Sequence, residues 1–128
     1  MDPLTARRML AQARLAVGVG ALVAPRLASR AMGIDPDANP ATPYLARLFG
    51  VREIFMATPF LMPAPGLDEA ELASRAVPVD AADALASVVA GLRGYLPWRA
   101  ALPTALMAVA GTYLGSVAAQ NEKLVRPA

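Results

Sequence analysis

Three carboxylates stand inside apolar, helix-forming stretches of the sequence: Glu53, Asp80 and Asp83. Neighbouring carboxylates can differ in protonation state, and the protonated one can then act as a general acid. These residues are therefore the candidate catalytic groups. An arginine partner holds a carboxylate ionised and makes it a poor proton donor, so a catalytic role requires Glu53 or Asp80 to be free of an arginine.

Three arginines stand in the same stretches, at Arg14, Arg47 and Arg52, and their charges balance those of the three carboxylates. A charge at the centre of a bilayer costs about 3 kcal/mol on insertion scales, so charges in membrane helices are expected to pair and to face inward. We expect Arg52 to bind Asp83 through both arms of its guanidinium, and Arg47 to lie deeper, towards the opposite surface. Whether the set performs chemistry or only fixes helix pairing stays open. The predicted buried polar network consists of Arg14, Arg47, Arg52, Glu53, Asp80, Asp83 and Tyr113.

The hydrophobic pattern predicts four long helices, at about 5–24, 43–62, 75–92 and 97–120. The run from Ala100 to Gln120 contains no charge and has the length of a membrane span. Residues 26–33 are predicted to form a short amphipathic helix, residues 67–73 an exposed acidic linker, and residues 121–128 a frayed polar tail. The predicted fold is all-α: a single domain, 1–128, forming an up-down four-helix transmembrane bundle with a short amphipathic interfacial helix after helix 1.

The composition points to a membrane. The chain is 56% hydrophobic and only 17% charged, whereas soluble domains carry about 25% charged residues. A domain of this size cannot bury so much apolar surface in its own core. We therefore predict a multi-pass protein of the cell membrane, with the lipid bilayer as its first partner. A soluble helical oligomer with a large apolar interface is the alternative. The basic residues of the two sides are nearly equal in number, and we favour both termini in the cytoplasm.

Small residues predict where the helices approach each other. Gly111 and Gly115 form a GxxxG motif, and Gly20 lies in a row with Ala16 and Ala24. Such rows allow close helix contact in lipid. We expect the first and last helices to pack together through them.

The sequence contains no cysteine and no histidine. Disulfides, thiolate nucleophiles and the commonest metal ligand are therefore missing, and no metal and no cofactor is predicted. The arginines are scattered and aromatic residues are few, so no nucleic-acid binding is predicted.

Two runs in the middle of the chain resemble a known family. They are Ala46-Arg47-Leu48-Phe49-Gly50-Val51-Arg52-Glu53 and Val79-Asp80-Ala81-Ala82-Asp83-Ala84. The chain resembles a family of small, uncharacterised bacterial integral membrane proteins with four helices and a domain of unknown function, and more distantly the DoxX-like membrane proteins. The resemblance implies a bacterial four-helix membrane protein and supplies no catalytic residues.

Two main functions follow as hypotheses. The first is a non-catalytic membrane module, either an accessory subunit of another membrane protein or a binder of a small lipophilic molecule. The alternative is a membrane-embedded isomerase or cyclase that uses the carboxylates as general acids and bases on a sterol- or terpene-like substrate. A proton-coupled transporter is a further possibility and would require an oligomer.

Overall fold

A computed structural model describes residues 1–120. This part of the chain contains no strand, which confirms the all-α prediction. The predicted amphipathic helix is present as the second helix, and the tail predicted from 121 onward lies outside the described residues. The helices are α1 (Pro3–Val23), α2 (Pro25–Ala31), α3 (Thr42–Leu61), α4 (Glu69–Leu92) and α5 (Trp98–Ala118).

The start of α4 corrects the sequence prediction. The helix begins at Glu69, so most of the predicted linker 67–73 belongs to its first turns. The Asp68 side chain caps the helix by accepting hydrogen bonds from the backbone N–H groups of Ala70 and Glu71, at 2.9 and 3.0 Å. Glu69 and Glu71 then lie in the first turn, where the helix dipole favours negative charge. The acidic run is therefore a helix start and not a linker.

The start of α1 uses the same kind of cap. The Asp2 carboxylate accepts hydrogen bonds from the hydroxyl of Thr5 at 2.6 Å and from its backbone N–H at 2.9 Å. These bonds, the hydroxyl's first, lower the pKa of Asp2. Pro3 occupies the first helical position, where its missing N–H costs nothing.

The four long helices form two antiparallel pairs, α1 with α3 and α4 with α5. In the first pair, a Cβ atom on Gly50 would lie 2.6 Å from the carbonyl oxygen of Gly18, so the two backbones touch. In the second pair, a Cβ atom on Gly91 would lie 2.9 Å from that of Ala101. The pairs join mainly along α1 and α5, whereas α3 and α4 make few contacts with each other. The α3–α4 side is therefore the loosest side of the molecule.

The predicted glycine contacts are corrected in two respects. Gly20 is exposed and has no neighbouring atom that an added Cβ would meet. It lies about 200° around the helix from Gly18, so a helix that turns Gly18 towards α3 turns Gly20 outward. Gly111 and Gly115 do pack closely, but their partners are Asp80 and Val77 of α4 and not residues of α1.

The interior of the protein consists largely of alanine. Among the described residues, Leu10 and Pro36 are the largest side chains that are fully buried. Large apolar side chains point outward instead: Phe55 of α3 is 77% exposed and Leu85 of α4 is 65% exposed. The usual arrangement of a soluble domain is reversed.

One helix of the described part, α5, is long and apolar enough to cross a membrane. By the same measure α1, α3 and α4 do not qualify. Each of them carries several charged residues, which lower its average hydropathy. Helix length and composition therefore do not support the predicted multi-pass arrangement.

Candidate functional site

Arg14 lies at the centre of the candidate site. It belongs to the inward stripe of α1, in which Leu10, Arg14, Gly18 and Ala21 follow each other at helical spacing. Its side chain is only 5% exposed. Nη1 donates a hydrogen bond to Glu53 Oε2 at 2.7 Å, and Nη2 donates to Asp80 Oδ2 at 2.5 Å. One guanidinium thus connects α1 to both α3 and α4.

The two carboxylates around Arg14 are placed by small neighbours. Glu53 shares its helix face with Gly50 and Ala57, the other buried residues of α3. Asp80 lies against Gly111 of α5, where an added Cβ would come within 3.0 Å of the carboxylate carbon. Both acidic residues are buried at 5% exposure. A side chain larger than glycine at position 111 would displace the Asp80 carboxylate.

A second ion pair bridges the loose α3–α4 side. Arg52 Nη2 donates a hydrogen bond to Asp83 Oδ2 at 2.6 Å, so the predicted pairing of these residues is confirmed. It is a single hydrogen bond and not the expected two-armed contact. Arg52 also lies over the ring of Phe49, with 5.5 Å from Cζ to the ring centroid, and its Nε is 3.8 Å from Glu53 Oε1. The side chains of Arg52 and Asp83 are 32% and 39% exposed, respectively.

Two residues of the predicted network lie elsewhere. Arg47 is exposed and is not among the ion pairs of residues 1–120. It lies about 140° around α3 from Arg52, so both arginines cannot face the interior. Tyr113 is 59% exposed, because the turn of α5 that directs Gly111 at Asp80 directs Tyr113 outward. The connected group, called the polar layer below, consists of Arg14, Arg52, Glu53, Asp80 and Asp83.

The polar layer contains three carboxylates and only two guanidinium groups. The sequence prediction balanced these charges by including Arg47, which the structure places outside the layer. Arg14 Nε is buried and has no hydrogen-bond partner within the described part of the chain. The layer therefore combines an excess of negative charge with one unused buried donor.

The geometry bears directly on catalysis. Glu53 and Asp80 both accept a hydrogen bond from Arg14, and Asp83 accepts one from Arg52. The condition stated for general acid chemistry, a carboxylate free of arginine, is not met by any of these three candidates. Within residues 1–120 no group of acidic side chains is suited to hold a metal ion. The three ion pairs instead connect α1, α3 and α4 to each other.

Sequence reasoning missed the contact between Gly18 and Gly50, which brings the backbones of α1 and α3 together. The spacing of the two glycines from the charged residues could have indicated this contact. Gly18 follows Arg14 by one helical turn and Gly50 precedes Glu53 by nearly one turn, so each glycine shares a face with a charge of the layer. It also missed that Asp37 pairs with both Arg26 and Arg30 beside α2.

The chain matches no known protein-family model, and it shows no significant similarity to a curated protein or to a solved structure. The class is therefore defined by fold and site alone: within residues 1–120, an all-α arrangement of five helices with an ion-pair layer among three of them.

Proposed function

We propose that the chain is a small multi-pass membrane protein in which α1, α3, α4 and α5 all cross the bilayer. The observation that carries this proposal is the reversed distribution of side chains. Charges lie inside at Arg14, Glu53 and Asp80, and large apolar side chains such as Phe55 and Leu85 lie outside.

The reversal has a direct physical reason in lipid. Each large apolar side chain that leaves water gains roughly 1.5–3 kcal/mol, and on this protein many such side chains gain nothing from the protein core. In a bilayer the surrounding acyl chains cover them. The alanine and glycine interior agrees with this, because helices in lipid associate through close backbone packing between small residues.

The buried charges of α1, α3 and α4, namely Arg14, Glu53 and Asp80, are compatible with crossing because they do not face outward. Hydropathy averages count Arg14, Glu53 and Asp80 in full, although these side chains contact each other and not lipid. Inward-facing, paired charges are the usual form in which ionisable groups occur in membrane helices. The average therefore underestimates how apolar the lipid-facing surface of these helices is.

Alkaline carbonate extraction of membranes from expressing cells tests membrane integration. We expect the protein to stay in the membrane pellet together with a known integral protein. Release into the supernatant together with a peripheral marker would contradict the proposal and favour the soluble oligomer.

Within the bilayer, we propose that the protein binds a small lipophilic molecule on its α3–α4 side. These two helices make few contacts with each other. The Arg52–Asp83 pair between them is partly exposed, so it offers a charged donor and acceptor next to apolar side chains. Small-molecule sites combine a mostly apolar lining with a few such polar groups. The arginine-bound carboxylates give no support to the isomerase or cyclase.

Purification in mild detergent, followed by native mass spectrometry, tests this second part. We expect a reproducible small-molecule adduct on the natural chain. The Asp83→Asn variant should lose it, because the ion pair is broken, whereas Arg8→Gln, far from this side, should keep it. A protein partner in place of a small molecule would favour the accessory-subunit hypothesis, and an adduct unaffected by Asp83→Asn would contradict the assigned location.

A further inference from the structure

One end of the molecule is formed by α2 and the chain segments on either side of it. The residue Gly33, just after α2, approaches the backbone of α5 so closely that an added Cβ would lie 2.8 Å from the carbonyl oxygen of Arg99. This contact places the α4–α5 connection beside α2. We call the region formed by residues 24–47 and 92–99 the α2 end.

The α2 end is positively charged. It carries two acidic residues, Asp35 and Asp37, and Asp37 already accepts hydrogen bonds from Arg26 and Arg30. Three of its basic residues, Arg47, Arg93 and Arg99, take part in none of the ion pairs found among residues 1–120. The exposed arginines of this end are Arg26, Arg30, Arg47, Arg93 and Arg99.

Among the described residues, the opposite end has no such surplus of positive charge. Of its basic residues, Arg7 lies 3.9 Å from Glu69, and Arg75 pairs with Glu71 at 2.6 Å. The acidic side chains described at this end outnumber the basic ones, Arg7, Arg8 and Arg75. These acidic residues are Asp2, Asp68, Glu69 and Glu71.

The aromatic side chains reinforce the asymmetry. Tyr44, Tyr95 and Trp98 are all exposed and all belong to the α2 end. Tyrosine and tryptophan concentrate at the level of lipid headgroups, where a ring can contact acyl chains and its polar group can contact water. Leu27 of α2 is exposed beside the arginines, which gives this short helix the mixed surface of an interfacial segment.

We propose that the α2 end binds the headgroups of anionic phospholipids, an inference that rests on the proposed membrane function. The guanidinium group matches the phosphate of a lipid headgroup through several donors in one plane. Because Arg93 and Arg99 have no acidic partner in the described residues, they are available to such phosphates. The surplus of positive charge at this end selects anionic over zwitterionic lipid.

Reconstitution of the full chain tests the inference. The protein is placed in vesicles of phosphatidylcholine alone or of phosphatidylcholine and phosphatidylglycerol in equal amounts. It is then extracted in mild detergent, and the lipids it retains are counted by native mass spectrometry. We expect phosphatidylglycerol to be retained in preference to phosphatidylcholine. The variant Arg93→Gln/Arg99→Gln should reduce this preference about thirtyfold, given a contribution of about 1 kcal/mol from each basic residue near an anionic surface.

The matched control removes the same number of arginines from the opposite end, as Arg8→Gln/Arg75→Gln, and should retain the preference. An equal loss in both double variants, or no loss in the first, would overturn the inference. Flotation of the vesicles on a density gradient shows separately whether the protein has inserted. A natural chain that floats with both kinds of vesicle but retains no excess of phosphatidylglycerol would overturn the inference while leaving the membrane function intact. A chain that floats with neither kind would contradict the membrane function itself.

Discussion

Arg14 and Arg52 each hold a carboxylate of α4, but in different surroundings. Arg14 is 5% exposed and binds two carboxylates from two helices, whereas Arg52 is 32% exposed and donates one hydrogen bond to Asp83. Removing one partner of a buried ion pair leaves an uncompensated charge, whereas an exposed pair contributes little. The Arg14 side of the layer is therefore expected to stabilise the fold, whereas the Arg52 side is the part of the layer that is accessible from outside the protein.

The largest expected effect is that of Arg14→Met. It leaves Glu53 and Asp80 buried without a positive partner, and we expect a loss of about 3–5 kcal/mol in the free energy of unfolding. Thermal unfolding in detergent or in nanodiscs measures the change.

The triple variant Arg14→Met/Glu53→Gln/Asp80→Asn is the control, since it removes the unpaired charges as well. It should recover most of the lost stability. If the triple variant is as unstable as the single one, the Arg14 cluster contributes more than charge compensation.

The next largest effect is expected for Gly50→Ala on the same side of the layer. The new Cβ would lie 2.6 Å from the Gly18 carbonyl oxygen, so α1 and α3 must separate, at a cost of about 1–3 kcal/mol. Gly20→Ala is the matched control, because Gly20 is also helical but has open space around it. It should be neutral or stabilising by up to about 1 kcal/mol. Equal melting temperatures of the two variants would show that the close contact is unimportant.

Gly111→Ala tests the close contact between α5 and the Asp80 side chain. The added Cβ would lie 3.0 Å from the carboxylate carbon and would force Asp80 to shift relative to Arg14. We expect a loss of about 1–2 kcal/mol, within the range for overpacked cores. The same change made in the triple variant described above should cost less, since no ion pair is then disturbed. Additive losses would argue against contact between Gly111 and the ion pair.

The smallest effect on stability is expected for Asp83→Asn on the open side. Because the pair is partly exposed, we expect a loss of about 0–1 kcal/mol. The matched Asp80→Asn, which acts on the buried Arg14, should cost more. A loss from Asp83→Asn as large as that from Asp80→Asn would remove the distinction between the two sides.

The sequence was sufficient to predict those features that depend on periodicity and on the cost of burying charge. Helical stretches with inward charges led to the all-α fold and to the pairing of Arg52 with Asp83. The partner of Arg14 depends on which faces of three helices meet, and short-range patterns do not contain that information. Arg47 was assigned to the layer by charge balance alone, and its position on the far face of α3 shows the limit of that argument.

The contacts that were missed have a common physical cause. In a chain so rich in alanine, many rows of small residues could equally well form a close helix contact. Only the packing of the helices determines which of them do. Gly18 was selected over Gly20 because it shares a face with Arg14, whose ion pairs orient α1. The acidic run at the start of α4 predicts a linker because its charge suggests solvent, although Asp68 makes it a strong helix start.

The central claim is that α3 and α4 cross the bilayer with their large apolar side chains in lipid. The sequence contains no cysteine, so single cysteines can be introduced and labelled with a membrane-impermeant thiol reagent on sealed vesicles of each orientation. We expect Asn39→Cys and Tyr95→Cys to react from one side, Ala64→Cys to react from the other, and Phe55→Cys and Leu85→Cys to react from neither. Labelling of Phe55→Cys and Leu85→Cys from an aqueous side, at the rate of Ala64→Cys, would contradict the claim.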